Sequence, residues 1–158
     1  MNTVPLWRRN VAGAIVLGAS LTFVAVTQLW PDWSRYRAGI EPDQTVGRDE
    51  AANLEGRRWQ LESVRRTDGG PDVPAGAVET VVTLSRSGEA AGQDCSGTLT
   101  DGTRRWDAEP FPAVGAGATS RCGQAGPLEL AFLTPAGVTP TAVDITRSDG
   151  RILLRLLL

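Results

Sequence analysis

The chain has no lysine and no histidine: all 16 of its basic residues are arginine, set against 18 acidic ones. Without histidine there is no imidazole to act as general base near neutrality. Without lysine there is neither a Schiff-base nucleophile nor a P-loop cation. Serine and carboxylates remain, but the sequence offers no G-x-S-x-G turn and no recognisable carboxylate pair. No enzymatic activity is therefore expected, and an envelope hydrolase or transferase using Ser or Asp stands as the alternative. Metal ligands are equally scarce, because two distant cysteines without histidine fall short of a zinc set. The acids Asp43, Asp49 and Glu50 lack EF-hand spacing, so neither metal nor cofactor is expected. Net positive charge is absent as well. Beyond residue 30 there are 14 arginines against 18 acids, a formal charge of −4, which excludes a general nucleic-acid binder.

The uncharged run stands out against this background. From Val11 to Trp30 no residue is charged, and twenty residues at about 1.5 Å of rise span roughly the 30 Å of bilayer hydrocarbon. A signal-peptide core is shorter, about 7–15 residues, and ends at a small-x-small site. Here the best such site, Ala25-Val26-Thr27, lies inside the run. Trp7 borders one end while Trp30, Trp33 and Tyr36 border the other, the placement of two interfacial aromatic belts. Arg8 and Arg9 mark the short amino-terminal side as cytoplasmic. They are also compatible with a twin-arginine export signal, although a tryptophan precedes them. A retained signal anchor is expected, with cleavage and secretion as the alternative. Ala14, Gly18 and Thr22 recur every four residues, a stripe that would let a second helix approach.

Residues 31–56 hold prolines and acids with no helical or sustained strand period, and read as a spacer. Within it, residues 45–54 offer a short edge strand. After Gly56 the pattern changes to short alternating runs separated by turn residues, the all-β signature. Trp59, Leu61 and Ser63 share one face of a first strand, and Val81 and Val82 put valine on both faces of a more central one. Two Asp-Gly pairs mark hairpins. A two-residue turn at Asp101-Gly102 would pair Leu99 with Arg104 and Gly97 with Trp106. One at Asp149-Gly150 would pair Ser148 with Arg151, Ile145 with Leu154 and Val143 with Leu156, with Asp144 opposite Arg155. Leu128, Leu130 and Phe132 fall in phase in a further strand. Six or seven strands predict two packed antiparallel sheets, an immunoglobulin-like β-sandwich, with a small closed barrel as the alternative.

Cys95 and Cys122 are the only cysteines. In an oxidising compartment they predict one disulfide, whose loop of about 28 residues contributes roughly 3–4 kcal/mol in the chain-entropy model. A redox role is disfavoured by the absence of a Cys-x-x-Cys motif.

The segments TVGRDEAANLEGRRWQL, VETVVTL, TLTDGTRRW, GPLELAFLTPAGVTPTAVDI and DGRILLRL, spread over residues 45–158, resemble the telokin-like, immunoglobulin-like domains of unknown function carried by bacterial envelope proteins. The chain differs in having a helical anchor where the commoner arrangement has a lipoprotein cysteine. The resemblance implies an extracytoplasmic β-sandwich and carries over no functional residue. The expected organisation is a cytoplasmic N-terminus (1–10), a transmembrane helix (11–30), an extracytoplasmic linker (31–56) and a sandwich (57–158) in the bacterial plasma membrane. The expected role is binding or scaffolding, with membrane lipid and an envelope protein or polymer as partners. The loops 87–94 and 109–127 are the candidate contact segments. Arginine pairs 57–58, 65–66 and 104–105 are candidates for an anionic-polymer patch, and assembly through the helix itself is a third possibility.

Overall fold

The computed structural model describes residues 6–70, 73–88 and 94–158; the candidate loop 87–94 therefore lies largely outside the described residues, as do the side chains of Arg8 and Arg9. Two compact units result, Met1–Arg37 and Ala38–Leu158.

The first unit is helical. Helix α1 (Leu6–Val24) runs through a π-helical turn at Ala25–Leu29 into α2 (Trp30–Ala38). Pro31 explains the wide turn. It has no N–H to give to Thr27, and in regular α geometry its ring would collide with the Thr27 carbonyl. The backbone widens just before it, where Trp30 donates five residues back to the Ala25 carbonyl. Inside the apolar run, hydroxyls are satisfied by their own helix: Thr22 Oγ1 donates to the Gly18 carbonyl at 2.9 Å and Thr27 Oγ1 to that of Phe23 at 2.7 Å. Residues 31–38, expected as non-helical spacer, thus continue the helix. Asp32 in the first turn of α2 and Arg35 and Arg37 in its last complement the helix dipole.

The second unit contains nine strands among the described residues: β1 (Gln44–Val46), β2 (Ala51–Leu54), β3 (Arg57–Gly70), β4 (Val73–Ser87), β5 (Cys95–Thr100), β6 (Arg105–Asp107), β7 (Leu128–Pro135), β8 (Ala142–Arg147) and β9 (Ile152–Leu157). They form a five-stranded sheet in the order β1-β9-β8-β5-β6 and a four-stranded sheet in the order β2-β3-β4-β7. The segment expected to give one edge strand gives two. β1 lies parallel to β9, while β2 lies antiparallel to β3.

The core is the set of side chains in inward phase. Leu99 on β5, Val143 and Ile145 on β8, and Leu154 and Leu156 on β9 meet Leu61 on β3, Val82 and Leu84 on β4, and Leu128, Leu130 and Phe132 on β7. The alternation expected for β3 breaks at a bulge: Leu61 pairs with Leu84 but Ser63 with Thr83, leaving Glu62 extra. Val64, opposite Val82, therefore packs on the core where Ser63 was expected.

The two Asp-Gly hairpins differ. At 149–150 the register holds along the strands, with Val143 opposite Leu156, Asp144 opposite Arg155 and Ile145 opposite Leu154. Nearer the turn a bulge pairs Thr146 with Ile152, which displaces the expected Ser148–Arg151 pair. At 101–102 the expected register is wrong by two residues. Thr100 faces Arg105 and Leu99 faces Trp106, so the loop has four residues. Asp101 is the cause: its Oδ1 accepts the backbone N–H of Thr103 at 2.9 Å and of Arg104 at 2.7 Å, an Asx turn that occupies both residues. Trp106, expected opposite Gly97, lies opposite Leu99. Gly97 instead makes room for Leu130 of the facing sheet, whose Cδ1 would stand 2.4 Å from a Cβ placed there.

Candidate functional site

Three regions hold side chains whose chemistry exceeds packing. The first is the helix, which is long and apolar enough to cross a membrane and has none of its apolar window buried. Trp7, Trp30, Trp33 and Tyr36 are all exposed on it. Trp33 and Tyr36, three residues apart and so on one face, stand 5.7 Å from each other between ring centres.

The second is the outer face of the five-stranded sheet. Register places Thr45, Arg155, Asp144, Thr98 and Asp107 in one row across all five strands. Asp144 is wholly buried. Arg155 grips it with two bonds, Nε at 2.6 Å and Nη2 at 2.7 Å, and the Arg105 guanidinium approaches to 3.5 Å. That fork geometry is the strong form of the arginine–carboxylate pair, and the bond to Asp144 raises the Arg155 pKa above its ordinary value. The register thus buries a carboxylate on the outer face, with the half-buried Arg155 as its partner.

The third region is the end of the sandwich that carries the disulfide. Cys95 lies in the inward phase of β5 with Gly97 and Leu99, and is bonded to Cys122 with 5.5 Å between their Cα atoms. The bond pins the 109–127 loop, which is also laced to β7: Glu109 N–H donates to the Ala131 carbonyl, Glu129 N–H to that of Thr119, and Gly115 N–H to the Glu129 carboxylate. The inward phases of the other strands do not stop at the core's edge. They carry Arg57 on β3, Arg86 on β4 and Arg147 on β8 to this same end. Arg57 and Arg86 donate to one acceptor, the Cys122 carbonyl, at 2.9 and 2.8 Å, and Arg86 also reaches the Gly126 carbonyl at 2.9 Å. Arg86, directly opposite Trp59, has its guanidinium carbon 5.4 Å from the centre of that ring. Burial, and then the neighbouring Arg57 charge, lowers the Arg86 pKa to about 10. Arg147 lies across from Cys95 and pairs with Glu55. A cavity of about 30 Å3 opens here, lined by Leu54, Glu55, Arg57, Trp59, Cys95, Cys122, Ile145 and Leu153.

The three arginine pairs do not assemble into one patch. Arg57 is buried, Arg66 donates to the Val138 carbonyl, and Arg105 engages Asp144 and the Gly39 carbonyl. Asp43 pairs with Arg151, and Glu50 accepts the Gly47 N–H. Among the described residues no acids or cysteines gather in a set able to hold a metal ion. On the 109–127 loop, Phe111 is 89% exposed between two prolines, a feature visible in the sequence once the loop is known to be docked. Arg86 and Arg147 were missed, and Arg57 was read as one of a surface pair, because alternation was followed only as far as its apolar members.

No protein-family model matches the chain, and no curated protein matches it, so the telokin-like resemblance gains no support from either. Among solved structures it is similar to MPT63, a secreted protein from Mycobacterium tuberculosis, with TM-score 0.47 and 16% identity over 75% of this chain and 99% of that one.

Proposed function

We propose that the chain is a single-pass protein of the bacterial plasma membrane, its N-terminus cytoplasmic, whose disulfide-bonded immunoglobulin-like domain binds or scaffolds another envelope component outside the cytoplasm. One observation carries the proposal: the apolar helix has no protein cover, so its side chains need lipid. The disulfide suits an oxidising compartment. Antiparallel strands divided between two sheets support the immunoglobulin-like reading. Binding, not catalysis, is the proposed action; the cavity at the disulfide end has room for a water or two, far less than a substrate needs. Phe111, displayed on a pinned loop, is the proposed contact point.

Mass spectrometry of the mature chain, after alkaline extraction of membranes, tests the tether. An intact N-terminus in the membrane pellet supports it. A soluble chain beginning at Gln28, as cleavage after the Ala25-Val26-Thr27 site would leave, supports the secreted alternative. A photo-crosslinking residue at position 111 in intact cells is expected to capture one consistent envelope partner, and the same residue at exposed Arg58 is not.

A further inference from the structure

We propose that the disulfide end of the sheet domain is a binding site for a small anionic acceptor, above all a carboxylate group. The site goes beyond the tethered-module reading and stands whether or not the helix remains in lipid. Charge is the first ground. Arg86, at the end of the inward phase of β4 and directly opposite Trp59, donates only to carbonyls among the described residues, and the one carboxylate that lines the cavity, Glu55, is held by Arg147. Hydrogen bonding is the second and independent ground. Trp59 Nε1, Arg86 Nη2 and Arg147 Nε are buried without a hydrogen-bond partner among the described residues. Trp59, which lines the cavity, is 5% exposed. All three of these atoms are donors. Buried polar groups are ordinarily paired, and a group of unpaired ones calls for a missing partner. Here only an acceptor fits, and with cations gathered around it a negatively charged acceptor fits best.

The backbone points the same way. Leu54 pairs with Arg57, so Glu55 and Gly56 form a two-residue turn in which both have positive φ, 52° and 80°. Asparagine or glycine suits the first of these positions. A glutamate there costs stability, and it brings one carboxylate to Arg147. The lowered pKa of Arg86 fits a guanidinium whose charge is incompletely compensated. Size limits the ligand: about 30 Å3 admits a water or two, or the head of a carboxylate whose remainder stays in solvent. A free organic anion and the carboxyl terminus of a polypeptide share that chemistry.

The test uses the full chain in detergent micelles, where five tryptophans give five indole N–H signals in a nitrogen-15 spectrum. Trp59→Phe and Trp106→Phe identify two of them. The probes are sodium acetate, neutral acetamide, and trialanine with a free or an amidated carboxyl terminus, at an ionic strength fixed by a bulky sulfonate buffer. Acetate is expected to displace the Trp59 signal saturably, leaving Trp106 in place, and acetamide is expected to do nothing. Arg86→Lys should keep the affinity within a few-fold. Arg86→Met should weaken it by about tenfold or more. Arg147→Gln serves the same purpose if Arg86→Met does not fold. Binding of free-acid but not amidated trialanine supports the site with a chain terminus as its ligand; binding of acetate alone supports it with a free ion. No saturable displacement, or equal response to acetate and acetamide, overturns it and leaves water as the partner of these donors.

Discussion

Arginine does two different things in this domain. On the outer face of the five-stranded sheet, Arg155 grips the buried Asp144 carboxylate with a two-bond fork, and the Arg105 guanidinium stands 3.5 Å from it. At the disulfide end, Arg57 and Arg86 share an uncharged acceptor, the Cys122 carbonyl. In the first cluster the buried carboxylate meets opposite charge, and removing Arg155 takes away both of its hydrogen bonds. The other is held together by covalent pinning and by donation to the backbone, with donors left over. A buried charge that meets its opposite serves the fold, whereas Arg86, matched among the described residues only by carbonyls, is available for something else.

Breaking the disulfide has the largest expected effect on this contrast. Cys95→Ser with Cys122→Ser frees the loop that brings the Cys122 carbonyl to Arg57 and Arg86, and denaturant unfolding should show a loss of roughly 3–4 kcal/mol. Arg155→Met comes next. It leaves a wholly buried carboxylate with only Arg105 nearby, so a loss of about 3 kcal/mol is expected. Arg86→Met, by the same measurement, should cost about 1 kcal/mol, because the two lost bonds to carbonyls are offset by relief of a buried, poorly compensated charge. Equal losses for the two arginine variants would erase the distinction between the clusters. The smallest effect is at Asp101, whose turn carries β6 and Arg105 into place. Backbone N–H groups of Arg104 and then Thr103 hold its carboxyl well below the usual carboxylate range. The folded pKa is depressed, so the stability it provides is present above about pH 4 and fades as pH falls toward the folded value. Asp101→Ala should be less stable than the parent at neutral pH, and thermal melts of the two should converge on acidification.

How far this arrangement was legible in the sequence differs from element to element. Apolar alternation made Leu128, Leu130 and Phe132 core residues, and the Asp149-Gly150 turn yielded the Asp144–Arg155 pair, because one register satisfied both faces. The Asp101-Gly102 turn misled. An aspartate can begin a turn by accepting from the residues after it, and a bare Asp-Gly pair does not distinguish that from a two-residue hairpin. Helix continuation through Pro31 was hidden for a related reason, since proline in the first turn of a new helical segment costs little while a periodicity reading treats it as a stop. The disulfide end was the least legible. Its chemistry depends on four strands ending at one level, and that level is set by pairings between residues 57 and 147 that no local pattern records.

The parallel ladder between β1 and β9 has a mechanical consequence. The chain enters the sheet domain at Asp43, whose N–H bonds the Ile152 carbonyl and whose carboxylate pairs with Arg151, and it then runs alongside β9 through Val46. When tension is applied between the amino-terminal side and the far end of β9, these bonds lie across the direction of pull and must rupture together, not one after another as in an unzipping hairpin. A protein fastened to a surface through its amino-terminal segment and gripped at its carboxyl terminus would thus resist extension first at this short ladder.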